Sequence, residues 1–298
     1  MAQQTAIEWT DVSWNPIHGC SKVSPGCAHC YAETLSRRFR QTPRPWTPAN
    51  AAENVLLKPH KLREPLSWRK PRMVFVNSMS DLFHEQVPDD YIDAVFGVMA
   101  QARAHTFQVL TKRPERMCEW INRVPSLTAS AYTPGAFTFT PDQWPLPNVW
   151  LGVSIENRRY VHRADLLRKT PAAVRFISAE PLLGPLLRPM TDGGFRAWTC
   201  ARPTPDLDLT GIDWLIVGGE SGAGHRPVEP QWVRDLRDAC TSEMARRAHG
   251  DLPGRLNPAF FFKQWGGRTP KAGGRELDGR EWNEMPSWPS IEPPEVAA

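Results

Sequence analysis

The sequence lacks any long apolar run, and this absence argues against a membrane-spanning helix. No stretch of about 18 consecutive apolar residues, the length that such a helix needs, occurs anywhere in the chain. An apolar segment preceded by basic residues, the pattern of a secretory signal, is also missing at the N-terminus. We therefore expect a cytoplasmic protein without a membrane partner.

Cysteine is scarce and unevenly placed. Three of the six cysteines lie within the segment Cys20-Ser-Lys-Val-Ser-Pro-Gly-Cys27-Ala-His-Cys30. Clustered cysteines in a cytoplasmic protein are more often metal ligands or catalytic groups than disulfides. Cys118, Cys200 and Cys240 are scattered, and we interpret them as ordinary core or loop thiols.

The chain also lacks a strong excess of positive or negative charge. The formal net charge is +4 and the isoelectric point is about 8.8. Such a mild basic excess is compatible with a nucleic-acid partner, but an ordinary solvated basic surface accounts for it equally well.

Seven apolar runs alternate with helical patterns and predict an α/β fold. The runs are Ile7–Trp14, Met73–Asn77, Phe107–Leu110, Val149–Val153, Val174–Ile177, Trp214–Val217 and Ala259–Phe262. Continuous apolar runs are typical of strands buried on both faces, and βα repetition requires a parallel sheet. We predict one partial (β/α) TIM-like barrel of six to seven parallel strands over residues 1–285. Loop insertions are expected near 123–147 and 185–211, and a flexible tail at 286–298.

A helix is predicted directly after the cysteine segment. Tyr31, Leu35 and Phe39 recur every four residues and predict its apolar face, and Cys30 falls in its first turn. The following residues 41–72 are rich in Pro, Trp, Lys and Arg and predict a surface excursion with a short helix near 51–57.

Polar residues follow nearly every predicted strand. Because the carboxyl ends of parallel strands share one edge of the sheet, where ligand sites of α/β proteins lie, these residues are candidates for a common site. They are Cys20, Cys27, Cys30, Asn77, Ser80, Asp81, Lys112, Arg113, Ser154, Glu156, Ser178, Glu180, Glu220, Ser221, Lys263 and Gln264.

The cysteine segment allows three interpretations. A zinc site would need a fourth ligand, for which His18 or His29 is near enough, but a second Cys-x-x-Cys or His pair is absent from the sequence. An iron–sulfur cubane held by three thiolates leaves one iron open to another ligand. Three unligated core cysteines fit poorly, because Gly, Pro and Ser separate them.

The chain resembles the phage-associated three-cysteine branch of the radical S-adenosylmethionine superfamily. The resemblance covers about residues 5–285. It is carried by Asn15-Pro16, Gly19-Cys20, Cys27-x2-Cys30-Tyr31-Ala32, Ser80-Asp81, Leu110–Pro114, Gly152–Glu156, Ser178–Pro181, Gly218–Gly222, Phe262–Gly266 and Leu277–Trp282.

The resemblance implies a [4Fe–4S] cluster on Cys20, Cys27 and Cys30, S-adenosylmethionine as the second cofactor, and chemistry through a 5′-deoxyadenosyl radical. It also implies an external reductant such as flavodoxin or ferredoxin. The chain departs from the superfamily in two ways. Six residues separate Cys20 from Cys27, more than in the usual loop, and Asn77-Ser-Met-Ser-Asp81 stands where Gly-Gly-Glu is usual.

The resemblance and the strand order together suggest roles for the strand-end residues. Asn77, Ser80 and Asp81 are candidates for the cofactor's methionine amine, and Ser154 and Glu156 for its ribose, although Glu156 could instead cap the next helix. Glu180 and Glu220 are candidate catalytic groups, with ion pairs inside the barrel as the competing role. Lys112, beside Arg113, is a candidate for binding a carboxylate or phosphate, unless the pair is simply exposed. The glycine cluster at 218–224 is interpreted as a tight turn that gives a ligand close access to the backbone.

The expected substrate is a base of phage DNA or its nucleotide, modified by rearrangement or isomerisation of a base side chain in the host cytoplasm. Two alternatives remain open at this point. One is repair of a DNA lesion in the manner of photoproduct lyases, and the other is a zinc- or cluster-stabilised nucleic-acid-binding protein without catalysis.

Overall fold

The computed structural model describes residues 5–123, 144–188, 206–241 and 257–287. These residues fall into two compact units. The first runs to Gly152 and includes Lys169–Val174, and the second comprises Val153–Arg168 and Arg175–Ser287. Most of both predicted insertions, and all but two residues of the predicted tail, lie outside the described residues, as does Cys200.

Eleven strands and six α-helices make up the described part of the chain. In chain order they are β1 (Val12–Trp14), β2 (Ile17–His18), α1 (Tyr31–Arg38), α2 (Ala51–Asn54), β3 (Leu56–Leu57), β4 (Met73–Val76), α3 (Asp89–Gln101), β5 (Thr106–Thr111), α4 (Pro114–Arg123), β6 (Val149–Ser154), α5 (His162–Arg168), β7 (Val174–Ala179), β8 (Trp214–Gly218), α6 (Pro230–Thr241), β9 (Ala259–Gln264), β10 (Glu276–Leu277) and β11 (Arg280–Glu281).

The principal sheet has seven strands in the order β1-β4-β5-β6-β7-β8-β9. The pairs β1–β4, β4–β5, β7–β8 and β8–β9 are all parallel. Strand neighbours therefore follow chain order, as in a partial α/β barrel, and the predicted parallel α/β sheet is confirmed. Each of the seven predicted apolar runs overlaps one of these strands, although the first strand begins only at Val12 and several others extend past the predicted run.

The first unit packs its helices over the short parallel strands β1, β4 and β5. Nearly every residue of α3 from Tyr91 to Ala100 is buried. Helix α4 buries the stripe Met117, Trp120 and Ile121, as its helical period predicts. The rings of Trp14 on β1 and Phe107 on β5 have centroids 5.8 Å apart, so these two strands contribute to one aromatic core.

In the second unit, β8 is buried along its whole length and β9 over most of its length. Helix α6 buries Val233, Leu236 and Cys240, which confirms Cys240 as a core thiol. Residues 276–281 form a small antiparallel hairpin, β10–β11.

The apolar face predicted for α1 is wrong. Tyr31, Leu35 and Phe39 are 52%, 37% and 61% exposed, and the buried residues of the helix include Glu33 and Ser36. The reason is a set of polar contacts with the loop that follows the helix. Glu33 accepts a hydrogen bond of 2.9 Å from the Trp46 backbone N–H, and the Ser36 and Thr42 hydroxyl oxygens are 2.8 Å apart.

None of the helices in the described ranges is both long enough and apolar enough to cross a membrane.

Candidate metal centre and strand-end sites

The cysteine loop connects β2 to α1 and carries all three thiols. Cys27 ends a single 3₁₀ turn that begins at Pro25, and Cys30 is the N-cap residue of α1. The three side chains are partly exposed and none forms a disulfide. The predicted position of Cys30 at the start of the helix is therefore confirmed.

Gly19 fixes where this loop begins. Its φ is +85°, and a Cβ atom at this position would lie 1.9 Å from the Asn54 carbonyl oxygen. Its N–H donates to the Met79 carbonyl at 3.0 Å, and Gly19 forms a parallel bridge with Ser80. Only glycine fits here, and the loop is thereby held against the segment that follows β4.

Arg113 contacts the first cysteine directly. Its Nη1 lies 3.5 Å from Cys20 Sγ, and its Nη2 donates to the Ser21 hydroxyl at 3.0 Å. The side chain also pairs with Asp81 and Glu85. Although burial opposes it, these carboxylates keep the pKa of Arg113 above its usual value, so a fixed positive charge lies beside the Cys20 sulfur.

Asp81 organises the ends of β4 and β5. Its Oδ1 accepts bonds of 2.7 Å from the Thr111 hydroxyl and 3.0 Å from the Phe83 N–H. Its Oδ2 accepts from the Lys112 N–H at 3.0 Å and from Arg113 Nη1 at 3.3 Å. Both oxygens therefore bind the protein itself, and the predicted contact of Asp81 with a methionine amine stays a prediction. Ser80 donates its hydroxyl to the Ile17 carbonyl at 2.9 Å.

Asn77 is the least satisfied side chain of this region. It directly follows β4, is 3% exposed, and has a left-handed φ of 62°. Within the described residues neither its amide oxygen nor its amide nitrogen has a hydrogen-bond partner. A buried polar group without a partner costs about 1–3 kcal/mol. Its unmet donor and acceptor are what a bound polar ligand would satisfy.

Burial favours the neutral form of the Cys20 and Cys30 thiols. Desolvation raises the pKa of Cys20 to about 12, although Arg113 opposes it, and burial also raises the pKa of Cys30. A thiolate is the form that binds iron or zinc, so a bound cation has to supply the favourable charge for ionisation.

Zinc coordination has no geometric support here. Across the described ranges, no three His, Cys, Asp or Glu side chains are grouped closely enough to hold one metal ion. His18 is partly buried, and burial, followed by the charges of Lys58 and Lys61, lowers its pKa to about 4. In a cubane each thiolate binds a different iron, so the sulfurs need not surround a single ion.

The strand-end glutamates of the second unit are each paired with a cation. Glu156 is fully buried, and its Oε2 lies 3.2 Å from Arg163 Nη1, which also donates to the Ser154 carbonyl at 2.6 Å. Glu156 is thus engaged in an ion pair with Arg163, and the ribose contacts predicted for Ser154 and Glu156 stay predictions.

Glu180 and Glu220 each form an ion pair, which the sequence analysis gave as the alternative to a catalytic role. Lys263 Nζ lies 2.7 Å from Glu180 Oε1. Glu220 Oε2 accepts two bonds of 2.9 Å from Arg226, one from its backbone N–H and one from its Nε. The catalytic roles predicted for Glu180, Glu220 and Lys112 stay predictions, but both glutamates have an identified structural partner.

The glycine cluster serves packing within the chain. A Cβ atom on Gly219 would lie 2.0 Å from the Trp265 carbonyl oxygen, and one on Gly218 would lie 3.1 Å from the Glu180 carboxyl carbon. The predicted close approach is thus made by the chain's own groups at the ends of β7 and β9.

Sequence reasoning missed the central place of Arg113. The sequence allows an exposed Lys112-Arg113 pair, yet Arg113 is only 5% exposed. It also missed His84, which is buried with Nε2 2.9 Å from the Ser21 hydroxyl. The position of Arg113 just beyond a strand was a usable signal, but its partners are far away in sequence.

The fold and this site define an α/β protein with a parallel sheet and a three-thiol loop between β2 and α1. Residues 4–286 match the family described as "Protein of unknown function (DUF5131)", and the chain belongs to that family. No curated protein and no solved structure matches the chain.

Proposed function

We propose that this protein is a radical S-adenosylmethionine enzyme that acts on a base of DNA or on its nucleotide. The observation that carries the proposal is the position of the cysteine loop. Three free thiols lie on a loop whose first residue, Gly19, is bridged to Ser80, three residues beyond the unsatisfied amide of Asn77.

The donor set fits an iron–sulfur cluster. Cys20, Cys27 and Cys30 would hold three irons of a [4Fe–4S] cluster and leave the fourth open. When bound, such a cluster would supply the electron for reductive cleavage of S-adenosylmethionine, and an external reductant such as flavodoxin or ferredoxin would replace that electron.

The neighbouring side chains support the same assignment. Arg113 places a permanent positive charge beside the Cys20 sulfur and would stabilise a thiolate there. Asp81 holds the same Arg113 nitrogen, Nη1, at 3.3 Å. Asn77 offers a donor and an acceptor for the polar groups of the cofactor's methionine part.

The charge distribution supports a nucleic-acid substrate. Residues 37–72 contain ten Lys or Arg and two Asp or Glu, a formal charge of +8, whereas the whole chain carries +4. Such a stretch suits phosphate groups. Within the substrate class, rearrangement of a base side chain and lesion repair both use radical chemistry, and Glu180, Glu220 and Lys112 are the proposed groups for substrate binding or proton transfer.

A second candidate is a nucleic-acid-binding protein whose metal is purely structural. The basic stretch favours it, because phosphate binding needs no catalytic chemistry. The two candidates differ in whether S-adenosylmethionine is cleaved.

The deciding experiment is metal analysis followed by a cleavage assay. Protein purified and reconstituted without oxygen should be brown and hold about four irons per chain. With dithionite and S-adenosylmethionine it should form 5′-deoxyadenosine. Cys27→Ala should abolish this product, whereas Cys118→Ala, on α4 outside the loop, should retain it.

Stoichiometric zinc in protein purified without oxygen would contradict the proposal. A fully loaded cluster that forms no 5′-deoxyadenosine would favour the binding protein. If the product forms, mass spectrometry of phage DNA nucleosides with and without the gene identifies the substrate.

A further inference from the structure

A cavity of about 270 Å³ lies in the first unit beside the cysteine loop. Its lining combines two aromatic rings with amide, imidazole and ammonium groups, namely Phe39, Trp68, Asn15, Gln41, His18 and Lys61. Sites for small organic ligands begin at about 300 Å³. The volume therefore suits one small planar ring rather than a large cofactor.

This cavity differs from the proposed cofactor site. Of the residues that the structure describes, neither Asn77 nor any of the three loop cysteines lines it. The cavity is bordered by α1 and its end, by the excursion at residues 41–72, by residues 13–18 and by Met79. Its occupant should thus be a different chemical group.

Gln41 provides an unmet hydrogen-bond acceptor in the cavity wall. Its Oε1 is buried and has no partner within the described residues. The polar edge of a nucleobase carries amino and imino donors that such an oxygen would accept. Asn15, by contrast, already accepts bonds from the Met79 N–H at 2.9 Å and the Ser78 hydroxyl at 3.2 Å.

The aromatic part of the lining is accessible. Phe39 is 61% exposed and Leu35, on the same face of α1, is 37% exposed. Trp68 is partly exposed and packs one side against His105, with ring centroids 5.5 Å apart. Exposed rings at a polar cavity are what single-stranded nucleic-acid sites use to stack bases.

Exposed cations flank both rings. Arg37, Arg38 and Arg40 surround Phe39 in sequence, and Arg63, Arg69 and Lys70 surround Trp68. The two carboxylates of the stretch, Glu53 and Glu64, pair with Arg44 and Lys61. The charge of the stretch is therefore complementary to a chain of phosphates.

We infer that this cavity holds one base of a single-stranded nucleic acid, whose phosphates contact the basic stretch at residues 37–72. This inference deepens the proposed function. That the bound nucleic acid is also the substrate rests on that proposal. Binding itself needs no iron and can be measured separately from catalysis.

The test is fluorescence anisotropy with the full-length protein, using labelled single-stranded DNA, the same sequence as RNA and as duplex, and unlabelled mononucleotide as competitor. Phe39→Ala should weaken single-strand binding about 5- to 150-fold, the effect of losing one base stack. Leu66→Ala removes an exposed apolar side chain of the same stretch that does not line the cavity, and should bind like the wild type. Far-UV circular dichroism should show both variants folded.

Two further variants separate base from phosphate contacts. Gln41→Leu keeps the side-chain size but removes the acceptor, and should weaken the binding of oligo(dC) and oligo(dT) alike, because cytosine carries an amino donor and thymine an imino donor. Arg69→Gln with Lys70→Gln should lower the slope of log affinity against log salt concentration by about 0.7 per charge.

Equal binding by Phe39→Ala and Leu66→Ala would overturn the inference, as would tighter binding of duplex than of single strand. Mononucleotide binding as tight as that of the strand would overturn the phosphate contacts. Failure of the proposed function can be distinguished from failure of this inference. Protein that forms no 5′-deoxyadenosine should still bind the single-stranded nucleic acid, and so should the Cys27→Ala variant.

Discussion

Asn77 combines two unfavourable features in one residue. Its backbone is left-handed, a conformation that costs most L-residues about 1–2 kcal/mol and asparagine less. Its amide is buried with both polar atoms unsatisfied among the described residues. Features of this kind concentrate where a ligand binds, because the ligand supplies the missing bonds.

Replacing Asn77 with glycine should separate folding from cofactor binding. Glycine adopts the left-handed backbone without strain and removes the unsatisfied amide, so the free energy of unfolding should stay equal or rise by about 1 kcal/mol. The affinity of the cluster-loaded protein for S-adenosylmethionine should fall about tenfold, the effect of losing one or two hydrogen bonds. Urea denaturation and isothermal titration calorimetry measure the two effects. An unchanged affinity would remove Asn77 from the cofactor site.

Side-chain partners were the part of the site that sequence could not predict. Asp81 and Arg113 are 32 residues apart, and Glu180 and Lys263 are 83 apart. Local patterns place each of these residues after a strand, but they do not say which opposite charge it meets. The strand-end positions were therefore predictable, whereas the engagement of Asp81 by four donors was not.

At the scale of elements, α1 shows why a helical period alone can mislead. The period-four pattern of Tyr31, Leu35 and Phe39 assumes that an apolar face is the buried face. Here the buried face carries Glu33, which the Trp46 N–H and Lys22 satisfy. The strands were easier to predict, because a parallel strand such as β6, buried throughout, is simply a continuous apolar run.

The end of α1 contains an arginine where glycine is favoured. Arg40 has a φ of 51°, and the N–H groups of Arg40 and Gln41 bond to the carbonyls of Arg37 and Ser36. This is a Schellman motif, whose left-handed position glycine usually occupies.

Arg40→Gly should raise stability while weakening nucleic-acid binding. Relief of the left-handed strain should increase the free energy of unfolding by up to about 1 kcal/mol. Loss of the charge should reduce the salt dependence of single-strand binding by about 0.7 in slope. Thermal denaturation and anisotropy titrations at several salt concentrations give the two values. A loss of stability would contradict the strain argument.

Asp93, just beyond the first turn of α3, should make stability depend on pH. Burial, reinforced by the charges of Asp89 and Asp90, raises the pKa of Asp93 to about 6. The folded state then holds its proton more tightly than the unfolded state, so stability is lost as the pH rises from about 4 through 6.

Asp93→Asn should abolish this loss, because asparagine can still accept the bond from Trp120 without carrying charge. The variant should be more stable than the wild type by about 1 kcal/mol at pH 7.5, after allowance for partial exposure, and should show no gain at pH 4. Urea denaturation at the two pH values measures both. A gain of equal size at pH 4 would show that the carboxyl pKa is not its source.

At the scale of the whole molecule, charge is divided between one stretch and the rest. Residues 37–72 carry +8, so the remaining residues together carry −4 within a total of +4. The near-neutral total concealed this separation, and the mild isoelectric point gave little indication of it. A polyanion should therefore bind at one place rather than across the surface.

Iron should stabilise the folded molecule as a whole. If Cys20, Cys27 and Cys30 hold a cluster as proposed, its binding free energy would add to the free energy of unfolding. Anaerobic calorimetry should show a Tm higher by about 5 °C or more in loaded than in chelator-stripped protein. The difference should vanish in Cys27→Ala and persist in Cys118→Ala. A Tm that does not respond to iron would argue against cluster ligation.

Among the described residues, the bonds of Gly19 and Cys20 at the start of the cysteine loop reach no further along the chain than Arg113. Gly19 meets Met79 and Ser80, and Cys20 meets Arg113. A ribosome adds about 5–20 residues per second, and N-terminal parts fold first. A nascent chain therefore possesses these partners well before the second unit has been translated. If the loop binds a cluster as proposed, metal delivery could then accompany translation, with the start of the loop already held while the ribosome is still elongating the chain.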